Sequence, residues 1–125
     1  MTDNELLKEA EEACQNSYSP YSHFRVGAAI LTKTGKIYRG CNIENSSYGA
    51  TVCAERTALF NAVSNGEKEI EKIAIFSPDS DNCPPCGICR QVLLEFAPDI
   101  KVIYRSKGKG MTSKTLSELL PEAFT

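Results

Sequence analysis

Three thiols and one carboxylate stand at spacings that suit metal chemistry. Cys53-Ala54-Glu55 opens one segment of helical character, and Pro85-Cys86-Gly87-Ile88-Cys89 runs into another. Two residues separate Cys86 from Cys89, which lets both sulfurs face one ion. A helix start presents unpaired N–H groups and the positive end of the helix dipole. Both lower a thiol's pKa and stabilise the thiolate that zinc prefers. Cys53 gains the same help at its own helix start. If the two helix starts meet at a sheet edge, three thiolates surround one zinc and the fourth tetrahedral position is left to water. Such an open position marks catalytic rather than structural zinc. Zinc acidifies its water, and Glu55 stands in the same first turn as Cys53, placed to take and return the proton. Ligand softness and spacing favour zinc and leave iron open.

Cys83-Pro84-Pro85-Cys86 offers a second register. With Cys83 as fourth ligand the site becomes a closed structural zinc. As a dithiol, Cys83/Cys86 or Cys86/Cys89 becomes a redox centre. Pro84 and Pro85 stiffen the chain before Cys86 and leave Cys83 back in a polar loop, as a bystander. The βαβ context of a redox dithiol is missing at the N-terminus. The single histidine, His23, enters a strand with no nucleophile elbow nearby, so Ser-His-Asp chemistry is not expected. It reads as a surface or loop residue.

The elements that must hold these residues follow from periodicity. Leu6, Leu7, Ala10, Ala13 and Cys14 form one apolar stripe of a helix over 4–17, capped by Asp3 or Asn4. Strands are expected over 24–32 and 36–41, joined by a turn at Thr34-Gly35. A polar loop covers 42–51. A helix over 52–65 closes at Asn65-Gly66, and a strand covers 70–76. A helix over 87–96 stops before Pro98; a strand over 100–104, a short edge strand over 111–113 and a helical turn over 115–120 complete the chain. Strands and helices alternate after the hairpin. This predicts an α/β fold: a three-layer αβα sandwich around a mixed, roughly five-stranded, largely parallel sheet, with residues 1–125 as one domain.

Composition narrows the partners. Net charge is −2 and the pI about 5.4, with no clustered Lys and Arg, so nucleic acid is not an expected partner. The run Arg105 to Lys109 reads as a solvated loop. No apolar run approaches the ~20 residues that span a bilayer. Met1-Thr2-Asp3-Asn4-Glu5 lacks the basic and apolar regions of a signal peptide. A cytoplasmic location with reduced thiols is expected, where six clustered cysteines point to metal or catalysis rather than disulfides.

With their neighbours included, the motifs extend along nearly the whole chain. Tyr18-Ser19-Pro20-Tyr21-Ser22-x-Phe24-x-Val26-Gly27, Gly40-Cys41-Asn42-Ile43-Glu44-Asn45, Cys53-Ala54-Glu55-Arg56-Thr57-Ala58, Pro85-Cys86-Gly87-Ile88-Cys89-Arg90-Gln91 and Leu119-Leu120-Pro121-x-x-Phe124 occur in this order. Together the sequence resembles the small homotetrameric, zinc-dependent cytidine deaminases. The resemblance implies hydrolysis of cytidine and 2′-deoxycytidine to uridine and 2′-deoxyuridine with release of ammonia. It implies one zinc per subunit, activated water attacking C4, and Glu55 as proton shuttle. It further implies that Asn42 and Glu44 hold ribose hydroxyls, chiefly the 3′-OH, and that Glu44 opposes phosphorylated substrates by its charge. Phe24 is expected against base or sugar, and Ala54 to contact the base through its backbone. Tyr48 and Phe124 are expected to reach a neighbouring subunit's site in a homotetramer.

Arg56 is a candidate to offset the negative charge of three thiolates through N–H to sulfur bonds. Arg90 and Gln91 are second candidates. Competing readings are a deaminase of another cytosine-bearing molecule such as a nucleoside antibiotic, a nucleic-acid-editing deaminase and a zinc module without activity. The Asn42-x-Glu44 pair speaks against the first; the cysteine at position 53 and the lack of a basic groove speak against the second.

Overall fold

The computed structural model describes residues 1–125. Helix α1, Asp3–Ala13, is capped one residue earlier than expected. Thr2 and Glu5 form a reciprocal capping box: the Thr2 hydroxyl accepts from Glu5 N–H at 3.1 Å, and the Glu5 carboxylate accepts from Thr2 N–H at 2.9 Å. A 3₁₀ turn, Cys14–Asn16, tightens its end. Strands β1, Gly27–Thr32, and β2, Ile37–Cys41, form the hairpin. Helix α2, Ala54–Ser64, and strand β3, Ile70–Phe76, follow. Helix α3 is Gly87–Phe96, and the chain ends with β4, Lys101–Ser106, β5, Gly110–Thr115, and the single turn α4, Leu116–Leu119.

The five strands lie in the order β2-β1-β3-β4-β5. The sheet is mixed, as expected, but it is not largely parallel. Only β3 and β4 run parallel, with Ile73 opposite Val102. The other three pairings, β1–β2, β1–β3 and β4–β5, are antiparallel. For β1–β2 and β4–β5 the cause is connectivity. Short turns can join only antiparallel neighbours, and α3 is the one crossover between adjacent strands. β5 is twice as long as the expected 111–113. It is exposed along nearly all its length, so it lacks the apolar signal that marks a strand in sequence.

Every residue of β1 is buried because helices cover both sheet faces. Ala29 and Leu31 pack with Ala74, Ile103, Leu6 and Ala10 beneath α1. Ala28 and Ile30 face the larger core, where Leu59, Ile73, Ile75, Leu93, Val102 and Leu116 meet under α2, α3 and α4. The expected three layers are therefore present. Arg105 departs from the solvated loop assigned to it. It lies within β4, donates to the carbonyls of Ser77 and Ser80, and its guanidinium carbon lies 4.4 Å from the ring centroid of Phe76. No helix is long and apolar enough to cross a membrane.

One glycine sets the position of α2. A Cβ at Gly40 would stand 2.2 Å from Ala58 N and 2.8 Å from Ala54 O. The first turns of α2 rest directly on the backbone of β2 there. Cys53 and Glu55 are thus brought beside Asn42, two residues beyond Gly40.

Candidate active site

Cys53 caps α2 and Cys86 caps α3. Both are extended, and neither side chain bonds the helix start it precedes. Their sulfurs are free to turn toward each other. Cys53 Sγ lies 3.7 Å from Cys86 Sγ, which lies 3.4 Å from Cys89 Sγ. All three sulfurs are within 4.8 Å of one another. A tetrahedral zinc at ~2.3 Å from each sulfur requires separations of about 3.8 Å. The trio therefore fits one zinc ion.

Arg56 stands behind it. Its Nη2 donates to Cys53 Sγ at 3.5 Å, and its Nε is buried without a partner. The neighbouring Cys89 thiol and the Arg56 guanidinium hold the Cys53 thiol down to about 5 against the opposing effect of burial. The Cys89 thiol moves upward, because of its closeness to Cys53 and its burial. The site favours a thiolate before any metal arrives.

Glu55 is 4% exposed and faces the same space. Burial pushes its carboxyl up to about 7, and the Cys53 thiolate adds to the rise. A carboxyl poised there can both accept and release a proton near neutrality. Cys83 lies in the loop before α3, as expected, but is turned away from solvent. It is buried in the larger core, and burial lifts its thiol to about 12. It lines the cavity but stands outside the sulfur trio.

The cavity has a volume of about 400 Å³. Phe24, Asn42, Glu44, Ala54 and Glu55 all line it, together with Cys53 and Cys86. Asn42 Oδ1 accepts from Val26 N–H at 2.9 Å and from the Ser17 hydroxyl, while its Nδ2 donates to Phe24 O at 2.7 Å. Glu44 Oε1 accepts from the N–H groups of Tyr21 and Ser22 at 3.0 and 3.1 Å, and Oε2 accepts from the Ser22 hydroxyl. These bonds, the Ser22 hydroxyl foremost, hold the Glu44 carboxyl below its ordinary range. Ser17 and Ser22 had no role assigned from sequence. The signal was the serine-rich connector, whose hydroxyl partners become visible only when the loop folds back onto residues 42–44.

Tyr48 and Phe124 lie outside the cavity, 82% and 84% exposed. No hydrogen bond joins Arg90 or Gln91 to a sulfur. Arg90 Nε donates to Pro85 O at 2.8 Å and its Nη1 to Leu119 O at 2.6 Å; Gln91 Nε2 donates to Phe124 O at 2.8 Å. They lace α3 to the loop before Cys86 and to the C-terminal tail.

A sheet between helical layers, with a thiolate trio and a buried carboxylate at two helix starts, defines a zinc hydrolase site. The chain belongs to the family described as the cytidine and deoxycytidylate deaminase zinc-binding region, whose model matches residues 1–106. It is 51% identical to a cytidine deaminase of Halalkalibacterium halodurans, over 96% of this chain and 92% of that one. It is 40% identical to a blasticidin-S deaminase of Bacillus cereus, over 98% of this chain and 92% of that one. The crystal structure of a cytidine deaminase from Burkholderia pseudomallei superposes with a TM-score of 0.92 at 42% identity, covering 99% of this chain and all of that one.

Proposed function

We propose that this chain hydrolyses cytidine and 2′-deoxycytidine to uridine and 2′-deoxyuridine, releasing ammonia, and that its 125 residues work as one catalytic domain. The observation that carries this reading is a single cavity lined by two members of the sulfur trio, Cys53 and Cys86, by a buried carboxylate and by a polar Asn-Glu pair, with Cys89 completing the trio beneath its wall. Cys53, Cys86 and Cys89 hold the metal. Zinc bound there supplies a water acidified to near-neutral pKa.

Glu55 carries the protons. It accepts one from the water as the oxygen attacks C4, and passes it to ring N3. Protonated N3 removes the negative charge that would otherwise build up in the ring. Glu55 then takes the remaining proton from the same oxygen and delivers it to the amino group, which leaves as ammonia. Burial, which raises its pKa to about 7, suits it to both directions of transfer. Asn42 and Glu44 bind the 3′-OH, and the Glu44 charge repels a phosphate. Phe24 packs against the substrate and Ala54 offers its backbone.

The wider reading is a cytoplasmic homotetramer whose subunits share sites, with Tyr48 and Phe124 reaching a neighbour. Their exposure supports it, as does that of Phe60 and Ile88 on α2 and α3, 48% and 61% exposed. Light scattering at four times the chain mass is the expected result; a monomer would overturn it.

A second reading, deamination of a nucleoside antibiotic, draws on the blasticidin-S deaminase relative. Parallel ultraviolet assays with cytidine and blasticidin S separate the two. Turnover of cytidine, one zinc per chain, and a Glu55→Gln variant that keeps zinc but loses about a thousandfold in rate are the expected results. Normal turnover by Glu55→Gln would overturn the role of Glu55.

A further inference from the structure

The Asn42–Glu44 pair has few free valences, and Ser22 controls one of them. The Asn42 amide orientation is fixed by opposite backbone partners: Val26 N–H needs the oxygen, and Phe24 C=O needs the nitrogen. Oδ1 is fully used, because the Ser17 hydroxyl takes its second lone pair. One N–H of Nδ2 remains. On Glu44, Oε1 is filled by the two N–H groups of Tyr21 and Ser22. Oε2 receives only the Ser22 hydroxyl, which leaves one acceptor position.

A group that meets one donor and one acceptor side by side must itself both accept and donate. A single alcohol hydroxyl does this. A carbonyl or a fully ionised phosphate does not, because neither can donate to Glu44, and any phosphate also meets the carboxylate's like charge. Ser22 is itself held in place, its oxygen accepting from Phe24 N–H at 3.0 Å. One side chain therefore ties the carboxylate to the segment that carries Phe24, another cavity wall.

We propose that Ser22 is the positioning residue of this pair: its hydroxyl orients Glu44 so that one acceptor faces the cavity beside the remaining Asn42 N–H, and the site thereby reads one sugar hydroxyl. The proposal rests on the nucleoside reading above. Without the Ser22 hydroxyl, Oε1 keeps both backbone donors, so the carboxylate stays bound but swings free at Oε2. The loss falls on binding of the hydroxyl and not on the chemistry at C4.

The test compares cytidine with 3′-deoxycytidine. In Ser22→Ala, KM for cytidine is expected to rise about tenfold with kcat within about twofold, since an oriented hydrogen bond to a charged group is lost. With 3′-deoxycytidine, which lacks the hydroxyl, KM is expected to change less than about twofold. Ser22→Thr keeps the hydroxyl and is expected to restore the cytidine value. Equal losses on both substrates, or none on either, would overturn the assignment. Calorimetric titration with uridine and 3′-deoxyuridine reads the same ratio without turnover. Failure of the activity reading and failure of the Ser22 assignment are thereby told apart.

Discussion

The Arg56 guanidinium donates to Cys53 Sγ at 3.5 Å, from one turn further along α2. Three thiolates around a divalent ion leave a net negative charge, which opposes acidification of the bound water. Arg56 lies where it withdraws charge from one of those sulfurs. Its own pKa is raised, chiefly by that same contact with Cys53.

Arg56→Gln is expected to retain one zinc per chain, because all three ligands remain, and to lower kcat about tenfold. Metal analysis with steady-state rates at neutral pH checks it. An unchanged rate would show that the sulfur contact has no part in tuning the site.

Gly40→Ala is expected to destabilise the chain by about 3 kcal/mol and to lower activity together with stability. The added methyl meets backbone atoms of α2 at 2.2 and 2.8 Å, which cannot swing aside as a flexible side-chain end would. Moving α2 off β2 shifts Cys53 and Glu55 together. Denaturant titration measures the loss; a loss below about 1 kcal/mol would show that α2 can ride up at little cost.

How much of this was legible in the sequence depends on which forces are local. Strand β3 and helix α3 were expected over 70–76 and 87–96 and lie at those bounds, because apolar periodicity and the flanking breakers agree. The trio could be read from Cys86-x-x-Cys89 and the helix starts. Strand direction could not be read, because the β1–β3 pairing is fixed by burial between distant segments. Nor could the role of Ser22, whose bond to Glu44 spans 22 residues. The burial of Cys83 is hidden in the sequence for a similar reason. Its polar neighbours Ser80, Asp81 and Asn82 suggest a solvated loop, yet its N–H donates to Arg105 O at 3.0 Å and draws the thiol into the core.

That placement gives a test of the open site. Cys83→Ala is expected to leave zinc stoichiometry and affinity unchanged, since Cys83 is not among the clustered sulfurs. Removing a buried sulfur is expected to lower stability by about 1–2 kcal/mol. Zinc titration beside thermal melting checks both. Loss of zinc from the variant would instead mean a closed site of four thiolates.

The loop that leads to Cys86 is anchored by Arg25 and Asp79, and this anchor carries a pH signature. Arg25 Nη2 donates to Asp79 Oδ1 at 2.8 Å, and Arg25 Nε and backbone N–H donate to Oδ2 at 3.1 and 2.8 Å. The Arg25 guanidinium and backbone N–H hold the Asp79 carboxyl down to about 2. An unfolded aspartate titrates at ~3.9. A folded-state pKa below the unfolded one contributes stability that is complete above the unfolded value and is lost as pH falls through the folded value. Asp79→Asn is therefore expected to melt below the wild type from pH 7 to about pH 5, by an amount that solvent screening keeps small, and the gap should close between about pH 4 and pH 2. Zinc loss in acid lowers both curves, so the readout is their difference, and Arg25→Gln should follow the same course. A gap that persists undiminished at pH 2 would mean that packing of the loop, and not the charge on Asp79, holds the anchor.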